Sequence, residues 1–72
     1  MVYYIVLRDI EITKWTELFR WCEEQFGFIV NDIDNDLPRW WPIRLNADDT
    51  YIDVTFYFKY KEDYTLFRLR WV

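Results

Sequence analysis

Histidine is absent from the 72-residue chain, which also has only one cysteine, one glycine and two prolines. Without histidine, and with Cys22 alone, no Cys/His zinc site, disulfide framework or nucleophile–histidine mechanism can be built. No apolar run approaches the roughly 18 residues that cross a bilayer as a helix, so no membrane span is expected. Met1–Leu7 is apolar but lacks a basic start and a small-residue cleavage site, so it does not read as a signal peptide. The expectation is a cytoplasmic chain with Cys22 reduced and no cofactor.

What is present is apolar and aromatic. Hydrophobic residues make up 53% of the chain and aromatics 24%, which excludes a disordered tail. Residues 1–72 are expected to form a single domain. So short a chain hides only about 60% of its unfolded surface, so nearly every local element must contribute to the core. An apolar side chain left outside that core is a candidate for an interface.

Val2–Asp9 (VYYIVLRD) reads as a strand. Tyr3, Ile5 and Leu7 share one face, and Val2, Tyr4, Val6 and Arg8 the other. Both faces are largely apolar, as in a central strand. Thr13 is a candidate N-cap for a helix running to Phe26. Trp15, Leu18, Phe19, Cys22 and Phe26 then form one stripe, and Gly27 falls where a left-handed C-cap is wanted. Phe28 is placed to fold back on Cys22. Trp21 lies about 120° from the centre of the stripe. It is either a flank covered by the loop after the helix or a partner contact.

Ile43–Leu45 reads as a short strand, Asn46–Thr50 as a turn and Tyr51–Tyr60 (YIDVTFYFKY) as a strong strand. Lys61–Asp63 then turns, and Tyr64–Val72 is expected to return antiparallel. Ile52, Val54, Phe56 and Phe58 would face the core with Phe67, Leu69 and Trp71. The fold class that follows is α+β. It has a three- to four-stranded, mainly antiparallel sheet with one helix on one face, in the order β-α-β-β-β. The opposite, open face would hold Tyr4, Arg8, Tyr57, Lys59, Arg68 and Arg70, with Arg44 at its border.

Little in the sequence supports catalysis. Asp32, Asp34 and Asp36 alternate like the start of a calcium loop, but Leu37 replaces the turn glycine and Ile43 the closing glutamate. No metal is therefore expected. A carboxylate pair would need a cleft that raises one pKa, and a one-helix domain has little volume for one. Cys22 lies in the apolar stripe, as a buried side chain rather than a nucleophile does. The chain is not expected to be an enzyme.

The net charge is −4, unevenly spread. Residues 1–37 hold three bases and eight acids, while residues 38–72 hold six bases and five acids. An acidic helix side and a basic, aromatic sheet side are expected. Tyrosine interleaved with arginine suits single-stranded nucleic acid. It suits protein hot spots equally, and the net negative charge opposes phosphate binding. The contact residues expected for a protein partner are Trp21, Tyr57, Arg68, Arg70, Tyr4, Arg8 and Trp40. A homodimer pairing its open faces is a third possibility.

The segment Trp15–Gly27 (WTELFRWCEEQFG), with Phe56–Lys59 and Glu62–Trp71, resembles small accessory proteins of T-even-type tailed phages. Those proteins often end in an aromatic strand, an acidic turn and a closing strand of the form F-x-L-x-W. The similarity covers about half of the chain. It implies a host-takeover or counter-defence role in the host cytoplasm, exercised by binding and blocking a host enzyme or defence complex. No functional residue carries over from it. The expectation is a non-enzymatic protein-binding domain, with single-stranded nucleic-acid binding through the open face as the alternative.

Overall fold

The computed structural model describes residues 2–29, 38–45 and 48–72. Its elements run β1 (Tyr3–Glu11), α1 (Ile12–Phe26), β2 (Trp40–Leu45), β3 (Tyr51–Phe58) and α2 (Lys61–Trp71). The three strands form one antiparallel sheet in the order β1-β3-β2. This is the expected α+β class with a three-stranded antiparallel sheet, but with two helices rather than one.

The second helix overturns the expected closing strand. Tyr64–Val72 does not return along β3. Lys61–Trp71 coils into α2, with Glu62 and Asp63 in its first turn and Arg68 and Arg70 in its last. That charge order complements the helix dipole. Tyr64, Phe67 and Trp71 turn inward at helical spacing, while Leu69, expected in the core, is 79% exposed. The F-x-L-x-W segment is therefore helical here.

β1 is also an edge strand, not the central one. β3 is central, paired with β1 on one side and β2 on the other, with Val54, Phe56 and Phe58 fully buried. β1 runs on to Glu11 through a bulge between Leu7 and Ile10. Asp9 adopts φ 54° there, a left-handed conformation that Asp tolerates better than most residues. The Asp9 amide freed by the bulge donates to Asp53 Oδ1 at 2.9 Å.

α1 starts slightly earlier than Thr13, with Glu11 at the N-cap position and no side-chain cap. Its stripe is as expected: Leu18, Cys22 and Phe26 are buried, and Trp15 and Phe19 are half-buried against them. Gly27 takes φ 87° and its N–H donates to the Glu23 carbonyl at 2.9 Å, ending the helix. Phe28 is exposed rather than folded back on Cys22.

Both helices rest on the same face of the sheet. Trp15 meets Phe56, Phe19 meets Trp40 and Phe26 meets Phe58, with ring centroids 5.3–5.8 Å apart. From α2, Phe67 lies 4.9 Å from Phe56 and 5.3 Å from Phe58, and Tyr64 stacks on Tyr3 at 5.9 Å. Such offset and edge-on ring pairs add to plain area burial. Arg39, just before β2, grips Asp63 with Nε at 2.7 Å and Nη2 at 3.1 Å. This fork ties α2 to the start of β2 and raises the Arg39 pKa above its ordinary value. The Asp32–Asp36 loop lies outside the described residues, as does part of the expected Asn46–Thr50 turn. Asp48 still accepts from the Thr50 and Tyr51 amides at 2.8 Å each, which holds its carboxyl below the usual range.

Candidate functional site

Alternation along each strand decides which side chains face away from the helices. With Ile52, Val54, Phe56 and Phe58 under the helices, Asp53, Thr55 and Tyr57 project from the other face. The register extends this face across all three strands. Tyr4, Tyr57 and Trp41 form one cross-strand row, and Val6, Thr55 and Ile43 the next. Leu45 pairs with Asp53 in a third row, with Arg8 on the same side of β1.

The first row is a stacked aromatic ladder. Trp41 and Tyr57 lie 5.2 Å apart and nearly parallel at 9°, and Tyr57 and Tyr4 lie 6.0 Å apart at 35°. Tyr4 is 60% exposed and Leu45 52%, and Val6 and Ile43 are also open to solvent. Thr55 is buried in the middle of the face. Val6 and Ile43 flank it on either side, and among the described residues no strand or helix lies over it. Neither helix lies on this surface. Contiguous apolar area of this kind is uncommon on a monomer without a partner.

Of the expected contact residues, Tyr4, Arg8 and Tyr57 are brought together on the open face. Four are not. Trp40 is fully buried beneath α1, and its indole N–H donates to the Gly27 carbonyl at 2.8 Å. Trp21 lies in the seam between the helices, edge-on to Phe26, Phe67 and Trp71 at 5.6–6.1 Å. It is a covered flank, and the cover is α2 rather than a loop. Arg68 and Arg70 ride on α2, in the helix layer. Arg68 lies over Tyr64 at 5.6 Å and Arg70 over Trp71 at 4.1 Å. Arg44 also points to the helix side, 5.8 Å from the Trp15 ring.

Those positions dissolve the expected division into an acidic helix side and a basic sheet side. Arg39, Arg44, Arg68 and Arg70 all belong to the helix side or its border, leaving the open face mainly apolar. Val6, Ile43 and Leu45 are not among the contacts expected from the sequence. The signal that finds them is alternation through Trp40–Leu45, once Trp40 is fixed inward.

Catalytic chemistry has little to work with among the described residues. They hold no cluster of three or more acidic or thiol side chains that could ligate a metal. Burial pushes the Cys22 thiol up to about 12, so it stays protonated and unreactive near neutrality. The groove beside Trp15, Phe19, Arg20 and Arg44 measures about 380 Å³ but is a shallow surface feature. Among the described residues no helix is long and apolar enough to cross a membrane. The chain matches no family model, no curated protein and no solved structure.

Proposed function

We propose that the chain is a non-enzymatic protein-recognition domain that engages its target through the helix-free face of the sheet. One observation carries this reading. The Tyr4–Tyr57–Trp41 ladder and the flanking Val6, Ile43 and Leu45 form a contiguous apolar surface that no element among the described residues covers. Tyrosine and tryptophan on a rigid sheet present large contact area at low entropic cost, as hot-spot residues do. The resemblance of Trp15–Gly27, Phe56–Lys59 and Glu62–Trp71 to phage accessory proteins is the ground for proposing a host protein as the target, an enzyme or defence complex blocked in the host cytoplasm.

Single-stranded nucleic acid is the weaker reading. It relied on Arg68 and Arg70 standing beside Tyr57, and both are on α2. A net charge of −4 also opposes phosphate contacts.

Affinity capture from bacterial lysate with three baits tests the proposal: wild type, Tyr4→Ala/Tyr57→Ala, and Leu69→Ala as a control on the helix layer. Wild type and the control should retain the same protein, and the double variant should lose about 1–4 kcal/mol of binding per hot-spot residue. Equal retention by all three would place the contact elsewhere. Micromolar, salt-sensitive oligonucleotide binding that depends on Tyr57 would favour the nucleic-acid reading.

A further inference from the structure

The two edges of the sheet differ in what their backbones offer. Lys59 N–H donates to the Arg39 carbonyl at 2.9 Å, which sets the phase of the β2–β3 ladder. In an antiparallel pair, alternate residues direct both backbone groups to the same neighbour. Trp41, Ile43 and Leu45 therefore bond to β3, while Trp40, Pro42 and Arg44 direct theirs outward. Pro42 has no N–H, so it blunts the middle of that edge.

The same alternation through β3 turns Phe58, Phe56 and Val54 toward Tyr3, Ile5 and Leu7. The backbone groups of Tyr4, Val6 and Arg8 consequently point outward from β1. Among the described residues no strand lies beyond β1, and no hydrogen bond engages these outward groups. The stretch Tyr4–Arg8 is regular and proline-free, and the bulge at Asp9 ends it.

We propose that this edge is a self-association site. A second copy adds its β1 antiparallel to the first about a two-fold axis at Val6, giving one continuous six-stranded sheet. That register pairs every outward residue with another: Val6 with Val6 of the second copy, and Tyr4 with Arg8 of the second copy. About six backbone hydrogen bonds form. Directly opposed residues share a face, so the Arg8 guanidinium meets the Tyr4 ring on the helix-free side, a favourable cation–π pairing. Among the strand residues paired in this register, no like charges oppose each other. With Pro42 blunting the far edge, the assembly closes as a dimer instead of growing. The two helix-free faces then become one continuous surface.

Analytical ultracentrifugation of wild type, Val6→Pro and Ile43→Asp at about 100 μM tests this, in a range suited to a small interface. Wild type should sediment at twice the 9.2 kDa chain mass. Val6→Pro removes an outward N–H without touching the β3 ladder and should be monomeric. Ile43→Asp lies on the open face away from the edge and should remain dimeric. Amide exchange in the wild type gives a reading independent of how Val6→Pro folds: the Val6 N–H should become protected as concentration rises. A wild-type monomer, or a Val6 amide that exchanges freely at every concentration, overturns the proposal. So does a dimer that survives Val6→Pro but is lost in Ile43→Asp, which would mean face-to-face packing.

Discussion

The indole N–H of Trp40 donates to the carbonyl of Gly27 at 2.8 Å, joining the first residue of β2 to the C-cap of α1. Trp71 is its counterpart without a partner, with a buried Nε1 that makes no hydrogen bond. The two indoles should therefore respond differently to the same substitution. Trp40→Phe removes a made hydrogen bond and should cost about 1–3 kcal/mol. Trp71→Phe deletes an unsatisfied donor and should cost less, under about 1 kcal/mol. Urea unfolding of the two variants measures the difference, and a larger loss for Trp71→Phe would contradict the assignment.

α2 has its own paired test. Phe67 is fully buried between Phe56 and Phe58, so Phe67→Ala should cost about 3–5 kcal/mol. Leu69 is exposed on the helix, so Leu69→Glu should stay within about 0.5 kcal/mol of wild type. Were residues 64–72 a strand in the sheet, both positions would face the core and both changes would be severe.

Cys22 predicts an alkaline dependence of stability. Its thiol titrates near 9.0 when unfolded and is pushed up to about 12 by burial in the fold. The unfolded chain thus releases this proton first. Stability from this group is complete below pH 9 and falls as pH rises toward 12, by at most about 1.4 kcal/mol per pH unit. Cys22→Ala should lack that part of the slope, so the difference between the two pH profiles is the quantity to measure. In the folded protein near neutrality, iodoacetamide should leave Cys22 largely unmodified.

Much of the fold is legible in the residues because their periods are unambiguous. Trp15, Leu18, Cys22 and Phe26 fit only a helix, and Ile52 to Phe58 alternate cleanly as a strand. Residues 64–71 satisfy two periods at once. Phe67, Leu69 and Trp71 alternate like a strand, while Tyr64, Phe67 and Trp71 follow a helix. Glu62 and Asp63 ahead of Arg68 and Arg70 are the helical signal, and it is weak beside a β-rich aromatic composition. That ambiguity carried Arg68 and Arg70 to the wrong side of the sheet. Tyr4, Arg8 and Tyr57 were readable because each lies in a strand of clear parity. Apolar residues on both faces of β1 resemble a central strand, whereas here they belong to an edge strand whose outer face no described element covers.

Photo-crosslinking tests the central claim, that the helix-free face contacts the target. A benzophenone amino acid is placed at Tyr4 in one variant and at Leu69 in another, and both are irradiated in bacterial lysate. The account predicts one dominant heterologous adduct from position 4, beside the self-adduct that pairing of two β1 edges gives there, and no heterologous adduct from position 69. A heterologous adduct from Leu69, with none from Tyr4, would contradict it and assign recognition to the helix layer.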